Sequence, residues 1–305
     1  MKFQNVDNYL AYINLFNSFS PWLYKDDDLC FLVDPGSMRF VDHIVKGLDT
    51  FGVSEGDLDY ILLTHIHVDH AGSVGKLIDF FPQVKIICHP NGIKHLINPK
   101  RLWEQSLKIL GKGAEIAGKI LPIPKDRILT QEHIKHYGIK VIETLGHAPH
   151  HQSYIFKNYL FIGEAAGHNL LIPEFKYEFI YPATPPVFDY EKYIASIENL
   201  LKEDIDNCMI CYPHVGMREN ARKMVKLGYE QITVWMRVFN ALYEDRDNPD
   251  FFGLLLDELK KEDKIFAKYD QLPENYKNML PMAIRDSIKG IFGYIMTRKK
   301  KKIKF

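Results

Sequence analysis

The sequence predicts an α/β domain over residues 1–216 joined to an all-helical extension over 217–305, and three observations predict it. Up to about residue 216, short apolar runs punctuated by Gly, Pro and Asp alternate with helical stretches. One of those runs passes straight into a dense group of histidines and an aspartate, as a strand does when it ends in a site-bearing loop. Beyond Met217, Pro, Gly and period-two alternation thin out and long amphipathic runs take over.

Taken in order, strands are expected at 9–14, 29–33, 60–63, 85–88, 140–143, 153–156, 159–162 and 208–212, all short runs rich in apolar side chains. Helices are expected at 40–51, 73–80, 102–120 and 190–202. Phe156-Lys157-Asn158-Tyr159-Leu160 reads as a hairpin, because Lys-Asn can occupy a tight turn between β-rich flanks. In the extension, 219–242, 251–259 and 280–296 carry apolar residues at helical spacing. The chain closes on Arg298-Lys299-Lys300-Lys301-Lys302-Ile303-Lys304-Phe305, a basic run that suits a solvated helix C-terminus.

Composition narrows the function classes. At 305 residues, 46% hydrophobic and 26% charged, the chain is long and apolar enough to bury a substantial core. Its 39 basic and 39 acidic residues cancel, so no global field favours nucleic acid or a membrane surface. Met1-Lys2-Phe3-Gln4-Asn5-Val6-Asp7-Asn8 lacks the pattern of a signal peptide, and no apolar run approaches the roughly 20 residues that span a bilayer, so a cytoplasmic location is expected. Four cysteines make no disulfide framework. Cys30 and Cys88 sit in apolar runs, and the Cys208-x-x-Cys211 pair falls on a strand that would point its members to opposite faces; all four read as structural.

The chemistry concentrates where the strand at 60–63 runs into Thr64-His65-Ile66-His67-Val68-Asp69-His70-Ala71-Gly72. On an extended segment His65 and His67 point to one side and can bind one ion, while the following turn lets Asp69 and His70 address a second. Polar groups this dense at the end of an apolar strand are costly to bury unless bonded or coordinated. Further ligands should follow other strands, and three blocks do: Gly146-His147-Ala148-Pro149-His150-His151, Gly163-Glu164-Ala165-Ala166-Gly167 and Pro213-His214-Val215-Gly216.

These blocks, in this order, resemble the metallo-β-lactamase superfamily, and most its glyoxalase II and lactonase branch, over about residues 5–216. The likeness rests on the H-x-H-x-D-H line, on the T-x-G-H-x-P-x-H-x-S-Y line from Thr144 to Tyr154, on the Gly-acidic-Ala line at Gly163 to Ala165, and on the last histidine. It implies a four-layer αββα sandwich with metals at one edge of two facing sheets. It further implies that His65, His67 and His147 hold a first ion and Asp69, His70 and His214 a second, with Glu164 bridging at a position where the family usually has aspartate. Asp34 matches a family aspartate that closes an early turn, and His151 a histidine that supports the strand or the ligands. His150 and His168 are candidates for a substrate-facing role, with a scaffold role as the alternative.

The resemblance implies two divalent ions, zinc first with iron or manganese as alternatives, that present hydroxide to a bound carbonyl, with Asp69 orienting it or shuttling its proton. The expected activity is hydrolysis of a small-molecule thioester or lactone. Alternatives within the superfamily are β-lactamase-like or phosphodiesterase activity, or persulfide dioxygenation with a single iron. Residues 180–189, stiffened by proline, read as a pocket wall or as a rigid connector. The apolar stripes of the C-terminal helices would dock on the catalytic domain as a lid or pair two subunits as a homodimer.

Overall fold

The computed structural model describes residues 2–16, 18–170, 179–214 and 216–302. The chain forms two compact units, one made of Met1–Glu143, Pro149–Gly163 and Asn207–Glu219 and the other of Thr144–Ala148, Glu164–Asp206 and Asn220–Phe305.

In the first unit, β1 (Lys2–Asn5), β2 (Leu10–Asn14), β3 (Trp22–Lys25), β4 (Cys30–Val33), β5 (Tyr60–Leu62), β6 (Lys85–Ile87) and β7 (Ile128–Leu129) lie side by side in that order. The first four pair antiparallel and β4 to β7 run parallel. The parallel strands are short apolar runs because both faces are covered. On β4, Cys30 and Leu32 face one hydrophobic cluster and Phe31 and Val33 the other, as period-two geometry requires. The first cluster takes in Ile44 and Leu48 of α1 (Val41–Thr50), Val68 and Ala71 of α2 (Val68–Ala71), Val74 and Leu77 of α3 (Val74–Leu77), and Leu96 of α4 (Pro90–Ile97).

The later part of the chain supplies β8 (Lys140–Glu143), β9 (Gln152–Phe156), β10 (Tyr159–Phe161), β11 (His168–Leu170), β12 (Phe179–Tyr181), β13 (Met209–Cys211) and β14 (Met217–Arg218). A second sheet runs β14-β13-β10-β9-β8. Its Tyr154, Phe156, Phe161 and Cys211 join Trp22, Tyr24, Phe31 and Val33 in one cluster, so the two sheets of this unit face each other. The expected hairpin is present: Phe156 pairs with Tyr159 around Lys157-Asn158, with Lys157 at φ +52°.

The Lys157 ammonium lies 3.1 Å from Asp26, whose carboxylate also accepts from the Tyr24 hydroxyl and from the amides of Asp28 and Leu29. Burial works against the Asp26 charge, but the Tyr24, Asp28, Lys157 and Leu29 contacts bring its pKa down to about 2. A folded pKa below the unfolded value of about 3.9 stabilises the fold above that value and loses the contribution as pH falls through about 2. Asp26→Asn is therefore expected to flatten the fall in urea midpoint between about pH 4 and pH 2; an unchanged slope would contradict this.

Several expectations are corrected. Strands β1, β3, β7, β11, β12 and β14 were not foreseen, since two- to four-residue runs owe their extended state to pairing partners rather than to pattern. Helical character after 216 starts only at α8 (Ala221–Ala241), because Met217–Arg218 pairs with β13. The helix expected at 102–120 is two, α5 (Lys100–Leu110) and α6 (Lys112–Ala117), separated by Gly111 at φ +53°. The helix expected at 73–80 contains only the single turn of α3.

The second unit holds the pair β11–β12 and the helices α7 (Tyr190–Leu200), α8, α9 (Phe251–Glu262) and α10 (Glu274–Lys302). Buried Asp263 accepts from the Gln231 amide, the Trp235 indole and the backbone N–H groups of Ile265 and Phe266, which ties α8 to the segment after α9. All four cysteines are free and buried, and burial pushes the thiols of Cys30 and Cys88 up to about 12, as suits inert core residues. No helix of the described residues is long and apolar enough to cross a membrane. The end of the basic tail, residues 303–305, lies outside the described residues.

Candidate metal centre

In the first unit, β5 ends at Leu62 and the chain bends at Thr64 before reaching His67, whose ψ of 156° precedes the single turn of α2. This segment places His65 Nε2 2.9 Å from His67 Nδ1, a spacing that suits two nitrogens on one ion with bonds of about 2.0–2.1 Å. The turn then carries Asp69 and His70. Asp69 Oδ2 lies 3.9 Å from His70 Nε2 and 3.5 Å from His214 Nε2. One donor atom each from Asp69, His70 and His214 falls within 4.8 Å of the others, the size of a small cation's coordination shell.

Asp34 aims these imidazoles. It sits just past β4 at φ +45°, is buried, and accepts from the Thr64 amide at 2.8 Å, the Thr64 hydroxyl at 2.6 Å and His70 Nδ1 at 2.9 Å. Because the Thr64 hydroxyl donates to Asp34, it can only accept from His65 Nδ1, 3.1 Å away. One carboxylate thus fixes protons on the Nδ1 atoms of His65 and His70 and leaves each Nε2 lone pair outward. The role is larger than turn closure, which is what the sequence suggested.

His214 is held from another side. Ser20 N–H donates to Pro213 O at 2.6 Å and the Trp22 indole to Tyr212 O at 3.0 Å, while the Phe19 ring stands edge-on to both His70 and His214 at 5.1 Å. His151 is fully buried, its ring 5.0 Å from that of His65. A Cβ on Gly163, at φ +59°, would come within 2.5 Å of His151 Nε2, so glycine is required there.

In the second unit, Glu164 is buried with Oε2 2.5 Å from His147 Nε2 and Oε1 in contact with His168 Nε2. His147 Nδ1 donates to the Ala183 carbonyl at 2.9 Å. A neutral imidazole that donates from Nδ1 has only a lone pair at Nε2, so its approach to a carboxylate oxygen requires a proton or a metal ion there. Burial alone would raise the Glu164 pKa, yet the His147 and His168 imidazoles hold it well below the usual carboxylate range.

The support is dense. Asp189 N–H donates to Gly146 O at 2.9 Å, Ser196 Oγ to Leu145 O at 2.7 Å and the Tyr193 hydroxyl to Glu164 O at 3.1 Å, so α7 pins both ligand segments. The stretch 180–189 begins inside β12, and its Ala183 carbonyl orients His147. Helix α10 fixes that stretch in turn, through Ser287 Oγ to Pro182 O at 2.6 Å and Thr184 Oγ1 to Ser287 O at 2.7 Å.

Of the residues read from the sequence, the first unit brings His65 together with His67, and Asp69 with His70 and His214; the second brings His147 to Glu164. Sequence reasoning missed the work of Asp34, Thr64 and Ala183, which only spatial neighbours reveal.

A family model described as the metallo-beta-lactamase superfamily matches residues 20–212, more than half of the chain. The chain belongs to the metallo-β-lactamase superfamily. Among curated relatives, a metallo-β-lactamase fold-containing protein of Sulfurisphaera tokodaii is 29% identical over 58% of this chain and 70% of its own. A probable metallo-hydrolase of Bacillus subtilis is 30% identical over 45% of this chain, and a hydroxyacylglutathione hydrolase of Actinobacillus pleuropneumoniae 28% identical over 47%. This metallo-β-lactamase-fold chain spans only 56% and 48% of those two proteins' length. Among solved structures, an archaeal superfamily member from Sulfolobus tokodaii shares the fold at TM-score 0.61 and 21% identity, covering 86% of this chain and 99% of that one. A subclass B3 metallo-β-lactamase from a soil metagenome library shares it at TM-score 0.55 and 15% identity, covering 81% and 98%.

Proposed function

We propose that this protein is a metal-dependent hydrolase of a thioester or lactone-type carbonyl substrate. His65, His67 and His147 would hold one divalent ion and Asp69, His70 and His214 a second, with Glu164 as the carboxylate that would serve both. Zinc is the first choice for both, since histidine-rich sets with a few carboxylates suit it well. The observation that carries the reading is the tautomer control: Asp34 and Thr64 fix Nδ1 of His70 and His65, and Ala183 fixes Nδ1 of His147, so that each offers Nε2 as a ligand.

When bound, the ions supply Lewis acidity toward a carbonyl and lower the pKa of a coordinated water toward neutrality. The chain's own residues do the rest. Asp69, whose side chain is 45% exposed against 0% for His70, is the open member of its set and the group placed to hold or move a proton on the substrate side. Buried Asp34 keeps the imidazoles from turning while that proton moves. The partial likeness to a hydroxyacylglutathione hydrolase supports a carbonyl substrate over the other classes found in the superfamily.

The test is a panel of thioesters, lactones, nitrocefin and bis-p-nitrophenyl phosphate on zinc-, manganese- and iron-loaded protein. Thioester or lactone turnover is expected, falling at least 100-fold on metal removal and returning on reloading. Turnover of the phosphodiester alone, or activity that survives complete metal removal, would overturn the proposal.

A further inference from the structure

Glu164 is one methylene longer than the residue the ligand pattern leads one to expect, and the second unit shows where that length goes. Its two carboxylate oxygens part company, Oε2 to His147 Nε2 and Oε1 to His168 Nε2. The turn that makes this possible closes at Gly167, φ +93°, where a Cβ would stand 2.7 Å from Tyr181 O. It returns the chain to β11, where His168 pairs with Tyr181 in register. The Tyr181 hydroxyl then sits 3.1 Å from His168 Nδ1. Two residues on, the Ala183 carbonyl occupies the same relation to His147, at 2.9 Å from Nδ1.

The two histidines are therefore set up alike. Each has Nδ1 engaged by the 181–183 segment, and each turns Nε2 to its own oxygen of one carboxylate. Nitrogen and carboxylate oxygens gathered in this way, with the outer nitrogens engaged, are the arrangement metal ligands show. His168 differs in access: its side chain is 21% exposed, against 4% for His147 and 5% for Glu164.

We propose that His168 is an eighth metal ligand, and that His147, Glu164 and His168 form one continuous ligand face in which the longer carboxylate reaches an ion on each side. His147 serves the inner ion and His168 the outer one. The inference rests on the two-ion reading above but does not depend on which substrate is cleaved. It assigns the Glu164 and His168 pair as a matched replacement for a shorter carboxylate at the outer ion, while the Glu164 oxygen beside His147 serves the inner ion with or without His168.

Metal-free protein titrated with zinc against a chromophoric chelator, and with cobalt(II) followed by its visible absorption, tests the assignment. Wild type is expected to take up two ions. His168→Ala should keep one at wild-type affinity and bind the second 10- to 100-fold more weakly, with loss of one cobalt band. His168→Asp, which restores an oxygen ligand, should recover part of that affinity. Equal melting temperatures of the metal-free proteins separate ligand loss from misfolding, and a variant that does not fold is replaced in the comparison by Tyr181→Phe, expected to weaken only the second ion. Two ions at wild-type affinity with an unaltered cobalt spectrum in His168→Ala would overturn the proposal. Two-ion binding by wild type without turnover of any panel substrate would sink the hydrolase reading and leave this one standing.

Discussion

Asp34→Ala is expected to weaken zinc binding by 10- to 100-fold and to lower stability by about 3 kcal/mol. The effect is large because the lost carboxylate serves three donors at once: the Thr64 amide, the Thr64 hydroxyl and His70 Nδ1. Without it, His70 loses the partner that fixes its tautomer, and the Thr64 hydroxyl no longer has to accept from His65 Nδ1. Alanine also fits poorly at φ +45°, which adds backbone strain. Asp34→Asn separates the two effects, since asparagine tolerates that conformation. It should recover most of the stability while leaving the zinc affinity reduced, because an amide cannot accept from Thr64 and His70 as a carboxylate does. Chelator competition and urea unfolding read the two quantities; full zinc affinity in Asp34→Ala would contradict the role assigned to this residue.

Gly290→Ala should be nearly as damaging, although the residue lies far along the chain from every ligand. A Cβ there would meet Thr184 O at 2.0 Å and Pro185 O at 2.6 Å, both backbone atoms with little freedom to yield. Either α10 or the 182–186 stretch must move. Overpacking of this kind costs about 1–3 kcal/mol. Because Ala183 O holds His147 Nδ1, the shift should also weaken the ion on His147. Gly293→Ala, on the same helix, has only Pro186 O near, at an ordinary 3.6 Å, and serves as the control expected to change neither quantity by much. Equal loss in both variants would mean that helix propensity, and not contact with the 182–186 stretch, is being measured.

The H-x-H-x-D-H line was legible in the sequence because its geometry is local: extended residues two apart share a side, and the next turn reverses the chain. The strands from β4 to β6 were legible because burial on both faces makes them continuous apolar runs. What was not legible is non-local. Asp34 stands 36 positions from the histidine it orients, and Ala183 the same distance from His147, contributing only a carbonyl that any residue would carry. Helix α10 carried signals of apolar spacing but none of its closeness to Thr184, which is a property of the folded backbone and not of the Gly290 side chain. Glu164 was recognised as a departure by one methylene. Only its position between two imidazoles gives the extra length a use.

The proposed function turns on Glu164 joining two metal positions. Anomalous diffraction at the zinc edge, on crystals of protein purified without chelators and then loaded with zinc, tests it most directly. Two peaks are expected, one beside His65, His67 and His147 and one beside Asp69, His70 and His214, with a Glu164 oxygen on each. A single peak with the Glu164 carboxylate turned away from it would overturn the two-ion proposal.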